Sequence, residues 1–204
     1  MKTLEVRHFP MQLRVVGDDT APKLEGHIAV FNQLSDDLGG WREKIAPGAF
    51  AETIKIHDIR ALWNHENDLV LGRNKAGTLE LAEDEVGLTF KNDPPATTWF
   101  RDRLVSLRRK DVTGCSFSFY TDAHEWGTEP DGTQVRTLKK VTLVEVSPGV
   151  TFPAYPQPDT QVAQRSMQAW QAVEAQKKGA GQAPADLVER DSRSRCLHLR
   201  RLAL

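Results

Sequence analysis

Apolar side chains in the first 150 residues recur mostly at every second position. Leu4-Glu5-Val6, Met11-Gln12-Leu13-Arg14-Val15, His27-Ile28-Ala29-Val30-Phe31, Leu79-Glu80-Leu81 and Gly87-Leu88-Thr89-Phe90 show this alternation, the period of half-buried strands. It extends to Ile59 to Trp63, Val112 to Tyr120, Gln134 to Leu138 and Val141 to Val150, with turn signals at Asp18-Asp19, Gly39-Gly40 and Pro130-Asp131-Gly132 between runs. The pattern predicts a mainly β chain with mostly antiparallel pairing.

Two helices interrupt the strands. Pro47-Gly48-Ala49-Phe50 opens the first, because proline suits the first helical turn, and it runs to about Lys55. The second covers roughly Thr98 to Lys110, with Phe100, Leu104 and Leu107 at i, i+4 and i+7 and a basic end, Arg108-Arg109-Lys110, at the negative pole. With these flanking helices the fold class is α+β.

After Pro153-Ala154-Tyr155-Pro156-Gln157-Pro158 the strand pattern stops and a Gln/Ala-rich stretch containing Val162, Trp170 and Val173 reads as a last amphipathic helix. Gly179-Ala180-Gly181-Gln182-Ala183-Pro184 has linker composition. The expected organisation is a body over 1–158, a helical extension over 159–178 and a flexible basic tail over 179–204.

Charge sharpens that division. The whole chain carries a formal net charge of −1, yet residues 166–204 hold seven Lys/Arg and four Asp/Glu while the rest holds 20 and 24. A nearly neutral chain gives no reason to expect nucleic acid as a partner. No stretch approaches the roughly 18 apolar residues of a membrane span, and the charged start Met1-Lys2-Thr3-Leu4-Glu5-Val6-Arg7 does not read as a signal peptide. A soluble protein is expected.

Cys115 and Cys196 cannot make a disulfide framework or a cysteine zinc site. No Gly-rich phosphate loop is present, and His65-Glu66 lacks the second histidine of a zincin, since Leu69 stands there. Neither metal nor cofactor is expected.

Three short segments could carry hydrolytic chemistry instead. In Leu62-Trp63-Asn64-His65-Glu66 a histidine ends a strand beside polar neighbours, where it could act as general base or be a surface residue. In Gly114-Cys115-Ser116-Phe117-Ser118-Phe119 alternation puts Cys115 and the phenylalanines on one face and both serines on the other. Either serine, or less favourably the thiol of Cys115, could be a nucleophile, and a plain half-buried strand fits the pattern equally. Glu145, within Leu143-Val144-Glu145-Val146-Ser147-Pro148-Gly149-Val150, must face solvent or find a cationic or hydrogen-bonding partner.

Taken in order, these segments resemble the prohead proteases of tailed bacteriophages, capsid-maturation serine proteases related to the herpesvirus assemblins. The likeness covers roughly residues 10–155. It runs through Glu25-Gly26-His27-Ile28-Ala29-Val30-Phe31-Asn32, Glu43-Lys44-Ile45-Ala46-Pro47-Gly48-Ala49-Phe50, Leu62-Trp63-Asn64-His65-Glu66 with Leu71-Gly72-Arg73, and Gly87-Leu88. Gly114-Cys115-Ser116-Phe117-Ser118-Phe119 and Glu145-Val146-Ser147 with Pro153-Ala154-Tyr155 complete it.

The resemblance implies an antiparallel assemblin-like β-barrel and a catalytic set of His65, Ser116 and Glu145. It favours Ser116 over Ser118, which stands where the family has a second glycine. Arg73 is a candidate for an oxyanion or substrate contact, and otherwise a structural arginine. The implied activity is endopeptidase cleavage of the scaffold, or of the scaffolding domain of the major capsid protein, and of the protease's own chain. It would act inside the assembling prohead in the bacterial host cytoplasm, and it allows a homo-oligomer. The competing expectation is a non-catalytic assembly module on the same fold.

Overall fold

The computed structural model describes residues 2–9, 13–18, 20–151 and 160–180. Pro153-Ala154-Tyr155, the residues from Gly181 onward and Cys196 lie outside the described residues. The chain divides into two compact units, Met1–Gln164 and Arg165–Leu204.

Among the described residues ten strands and three α-helices follow in chain order: β1 Leu4–Phe9, β2 Arg14–Val16, β3 Lys23–Val30, β4 Trp41–Ile45, α1 Thr53–Ile56, β5 Arg60–Trp63 and β6 Glu66–Arg73, then β7 Leu79–Glu83, β8 Gly87–Asn92, α2 Thr98–Arg109, β9 Gly114–Thr128, β10 Gln134–Val150 and α3 Thr160–Ala180. The chain is therefore mainly β with a few helices, as the alternation predicts. The described strands form two sheets, one ordered β1-β9-β10-β5-β6 with β4 also on β10, the other β2-β3-β8-β7.

The pairing is mostly antiparallel, as expected, with two parallel exceptions, and no closed barrel is found among the described residues. β10 runs antiparallel to β9 on one edge but parallel to both β4 and β5 on the other. Its 17 residues leave room for two short strands end to end along that edge. The chain passes from β4 to β5 by way of α1. Alternation within a strand carries no information about the direction of its partner.

Several expected boundaries moved for local reasons. The first helix shrinks to one turn, because residues 47–52 close as successive turns, with Gly48 at φ 86°. Gln134 to Leu138 and Val141 to Val150 are one strand, and the apparent break at Lys139-Lys140 is a bulge against β9. Helix α2 buries Phe100, Leu104 and Leu107 as the spacing predicts, and Lys110 ends it in a left-handed conformation.

The core lies on the face of β9 that carries Cys115, Phe117 and Phe119, all fully buried. Phe117 touches Phe9, Phe50 and Phe119 ring to ring. Asn92 of β8 ties the two sheets together by donating to the Leu71 carbonyl of β6 at 3.1 Å and to the Thr78 carbonyl at 2.8 Å. A Cβ on Gly72 would come within 2.0 Å of that amide nitrogen, so the glycine of Leu71-Gly72-Arg73 makes room for the link.

The same core face holds a buried ion cluster. Arg136 of β10 donates to Glu5 Oε2 at 2.7 Å and Oε1 at 3.1 Å, to Glu43 at 3.1 Å and to Thr121 at 2.8 Å. Arg7 donates to Glu43 at 2.7 and 3.1 Å and to Glu5 at 2.8 Å, with its guanidinium 5.5 Å above the Phe119 ring. Two carboxylates and two guanidiniums balance in charge, which lets Glu5, Glu43 and Arg136 be buried and Arg7 partly so. The cluster clamps β1 and β4 onto β9 and β10.

Burial alone would raise the Glu5 carboxyl, but hydrogen bonding and charge from Arg136, then Arg7 and Thr121, bring it from 4.5 down to about 2. A folded value below the unfolded one gives stability that is complete above the unfolded value and lost as pH falls toward the folded one. Acidification from pH 6 to pH 3 should therefore remove on the order of 2 kcal/mol through this group. Glu5→Gln should be less stable at neutral pH yet lose correspondingly less on acidification. Urea unfolding of both proteins at the two pH values checks this, and equal losses would count against it.

Candidate active site

His65 occupies the tip of a tight hairpin. β5 and β6 are joined by Asn64 and His65 alone, with φ of 50° and 63°, and Trp63 pairs with Glu66 across the turn. Two successive positive φ values characterise the primed turns that match strand twist. A glycine would normally stand second, and a side chain there costs on the order of 1–2 kcal/mol. Contacts from β10 hold the strained tip: Asn64 N–H donates to the Gly149 carbonyl at 3.2 Å and His65 N–H to Ser147 Oγ at 3.0 Å.

Gly149 is required by this fit. Its φ is 143°, and a Cβ on it would lie 2.6 Å from the Trp63 ring. Thus Glu145, Ser147 and Gly149, alternate residues of β10, all address the hairpin tip.

The polar face of the sheet gathers the other groups. Across the ladders His8 pairs with Ser116, Ser147 with Ser116, and Glu145 with Ser118, so these five side chains share the face opposite Phe117 and Phe119. Glu145 is 7% exposed. It accepts from His65 Nδ1 at 2.6 Å, from Ser147 Oγ at 2.9 Å and from Ser118 Oγ. Three donors, drawn from the hairpin tip, β9 and β10 itself, make this burial tolerable.

That arrangement fixes the histidine. With Nδ1–H given to the carboxylate, the neutral ring presents the lone pair of Nε2. Nε2 is buried and has no hydrogen-bond partner. The arrangement is that of a base oriented by an acid.

Ser116 is brought to the same face but not onto His65. It is fully buried, and its hydroxyl donates to the Arg7 carbonyl of β1 at 2.9 Å. Cys115 faces the core, where burial pushes its thiol up to about 12, so it stays protonated and inert. Arg73 is not among the assembled groups: its guanidinium is held at two points by Asp58, at 2.7 and 2.6 Å, on the surface.

Sequence reading missed two members of the cluster. Ser147 lies two residues from Glu145, and the period of a strand would have placed them together. His8 carries no local signal, since its neighbourhood is set by the β1 to β9 register.

The sequence profile of the caudovirus prohead serine protease family matches residues 9–172. The chain belongs to that family. None of the curated proteins matches it. Among solved structures, the capsid assembly protease of bacteriophage T4, gp21, is similar at 8% identity, over 72% of this chain and 96% of that chain, with a TM-score of 0.45.

For this prohead protease relative the packing makes a direct prediction. Gly149→Ala should push the Trp63 ring and displace the hairpin tip, at a cost of about 1–3 kcal/mol. Thermal unfolding measures it, and a melting temperature within about 1 °C of the parent would show that the tip is not held in this way.

Proposed function

We propose that this prohead protease is a serine endopeptidase with Ser116 as nucleophile, His65 as general base and Glu145 as the acid that orients the imidazole. The observation that carries the reading is the 2.6 Å bond from His65 Nδ1 to Glu145, which leaves Nε2 as a base on the face that holds Ser116. Rotation about χ1 takes the Ser116 hydroxyl off the Arg7 carbonyl, a change between staggered rotamers. His65 then accepts its proton as Oγ attacks a peptide carbonyl, and returns that proton to the departing amine. Glu145 stabilises the imidazolium in between.

Ser118 acts differently. Its hydroxyl already belongs to Glu145, and we assign it as a third donor to the carboxylate. The side chain that replaces the family's glycine thus strengthens the acid limb of the site.

Family membership supports capsid or scaffold proteins as substrates. We infer that the chain cleaves the scaffold, or the scaffolding domain of the major capsid protein, and its own chain, within the assembling prohead.

Co-expression with the capsid and scaffold proteins of the same phage tests the assignment, with processing followed by gel and mass spectrometry. Ser116→Ala should lower cleavage by roughly 10⁴-fold or more. Ser118→Ala should lower it by no more than about 150-fold, because it removes one hydrogen bond of order 1–3 kcal/mol to a charged group. Full activity of Ser116→Ala would overturn the nucleophile, and no cleavage by the unmodified protein would favour a non-catalytic assembly module.

A further inference from the structure

Acyl transfer through Ser116 requires a donor for the negative charge that develops on the attacked carbonyl oxygen. With Arg73 engaged by Asp58, that donor must come from elsewhere. Strand β1 brings an imidazole to the nucleophile.

His8 lies directly opposite Ser116 in the antiparallel ladder of β1 and β9. Directly opposed residues have Cβ atoms roughly 4.5–5.5 Å apart on one face of a sheet. The His8 ring meets the His65 ring edge to face, with centroids 5.8 Å apart and planes at 81°. Nδ1 and Nε2 of His8, like Nε2 of His65, are buried and have no hydrogen-bond partner. An unsatisfied buried polar group is costly, and native structures keep few of them outside functional sites. Two imidazoles with three unpartnered nitrogens thus lie on the sheet face that carries Ser116.

We propose that His8 is a catalytic residue, a neutral imidazole whose N–H donates to the oxyanion formed when Ser116 attacks the substrate carbonyl. The inference rests on the assignment of Ser116, His65 and Glu145.

The two histidines differ in their surroundings, and the difference assigns their roles. His65 is bonded to a carboxylate, whereas the partners of His8 are an imidazole and a serine strand. Burial, then the charges of His65 and Arg7, hold His8 below the usual histidine value, and Glu145 opposes them only in part. A neutral ring keeps one N–H to donate. Pairing a neutral histidine electrophile with a separate base is an established catalytic pattern.

The step balances. The Ser116 Oγ to carbon bond forms, the carbonyl π pair moves to oxygen, and the hydroxyl proton passes to His65 Nε2. His8 holds the oxyanion by hydrogen bond without giving up its proton. When the oxyanion collapses, the carbon to nitrogen bond breaks and the amine leaves with the proton from His65. Positive charge on His65 during the intermediate further disfavours protonation of His8, so the donor stays neutral when it is needed. On the opposite face, Glu5 and Arg7 lock β1 into the buried ion cluster, which fixes His8 against Ser116 as positioned catalysis requires.

The test uses the full-length protein and the purified scaffold or capsid protein of its own phage, with initial rates measured over a range of substrate concentrations. His8→Phe keeps a ring against His65 but has no N–H, and should lower kcat by about 10²–10³-fold with KM changed less than about threefold. His8→Gln carries an amide N–H and should recover at least about tenfold of that loss. If His8→Phe does not fold by thermal unfolding, the pair His8→Leu and His8→Asn replaces these two with the same expectations. A kcat for the ring variant within about threefold of the parent, or equal losses in the donor and non-donor variants, would overturn the proposal. Ser116→Ala is measured alongside. If it is inactive while His8→Phe is normal, only the role of His8 fails; if it is active, the triad assignment fails.

Discussion

A buried carboxylate is tolerable only if donors surround it, and the active face is arranged around that need at Glu145. An isolated ion in this position would cost several kcal/mol. The three donors that prevent this come from distant parts of the chain: His65 at a hairpin tip, Ser118 on β9 and Ser147 beside Glu145 on β10. Each is held in turn. Ser147 also receives the His65 backbone N–H, so one hydroxyl fixes both the acid and the main chain of the base. The left-handed conformation of His65 persists because these bonds and the Gly149 contact over-determine it.

The second buried cluster, on the opposite face of the sheet, serves the first. β1 alternates Glu5 and Arg7 toward the core with Val6 and His8 toward the active face. Two guanidiniums and two carboxylates clamp β1 through its odd positions, and the strand pairing then sets its even ones. The Arg7 carbonyl holds the Ser116 hydroxyl at rest, and the next residue presents its imidazole across from the same serine. Removing Arg136 would leave Glu5 and Glu43 with one guanidinium between them, and the displacement of β1 would be felt at Ser116.

How much of this was legible in the sequence depended on the range of the interaction. Alternation in Gly114 to Phe119 already separated the serines from Cys115, because the faces of a strand follow from its own residues. The i, i+4, i+7 pattern of Phe100, Leu104 and Leu107 named the buried side of α2 for the same reason. Parallel pairing of β4 and β5 on β10 was invisible, since direction belongs to the pair and not to the strand. The barrel implied by family resemblance was likewise not found among the described residues. Arg73 attracted attention through its motif, Leu71-Gly72-Arg73, but the part of that motif with a clear structural role is Gly72, which admits Asn92 between the sheets.

His8 shows where motif reading stops. His65, Ser116 and Glu145 lie inside the matched span of residues 9–172, each within a recognisable block, whereas His8 stands one residue before it. Nothing in Leu4-Glu5-Val6-Arg7-His8-Phe9 distinguishes this histidine from a surface one until the strand is paired. Its significance comes from register: a slip of one residue against β9 would turn His8 to the core and Arg7 to the active face. Such a slip would bury an unpaired imidazole among Phe117 and Phe119 and break the bonds of Arg7 to Glu5 and Glu43. The ion cluster therefore selects the register, and the register selects which side chain Ser116 meets.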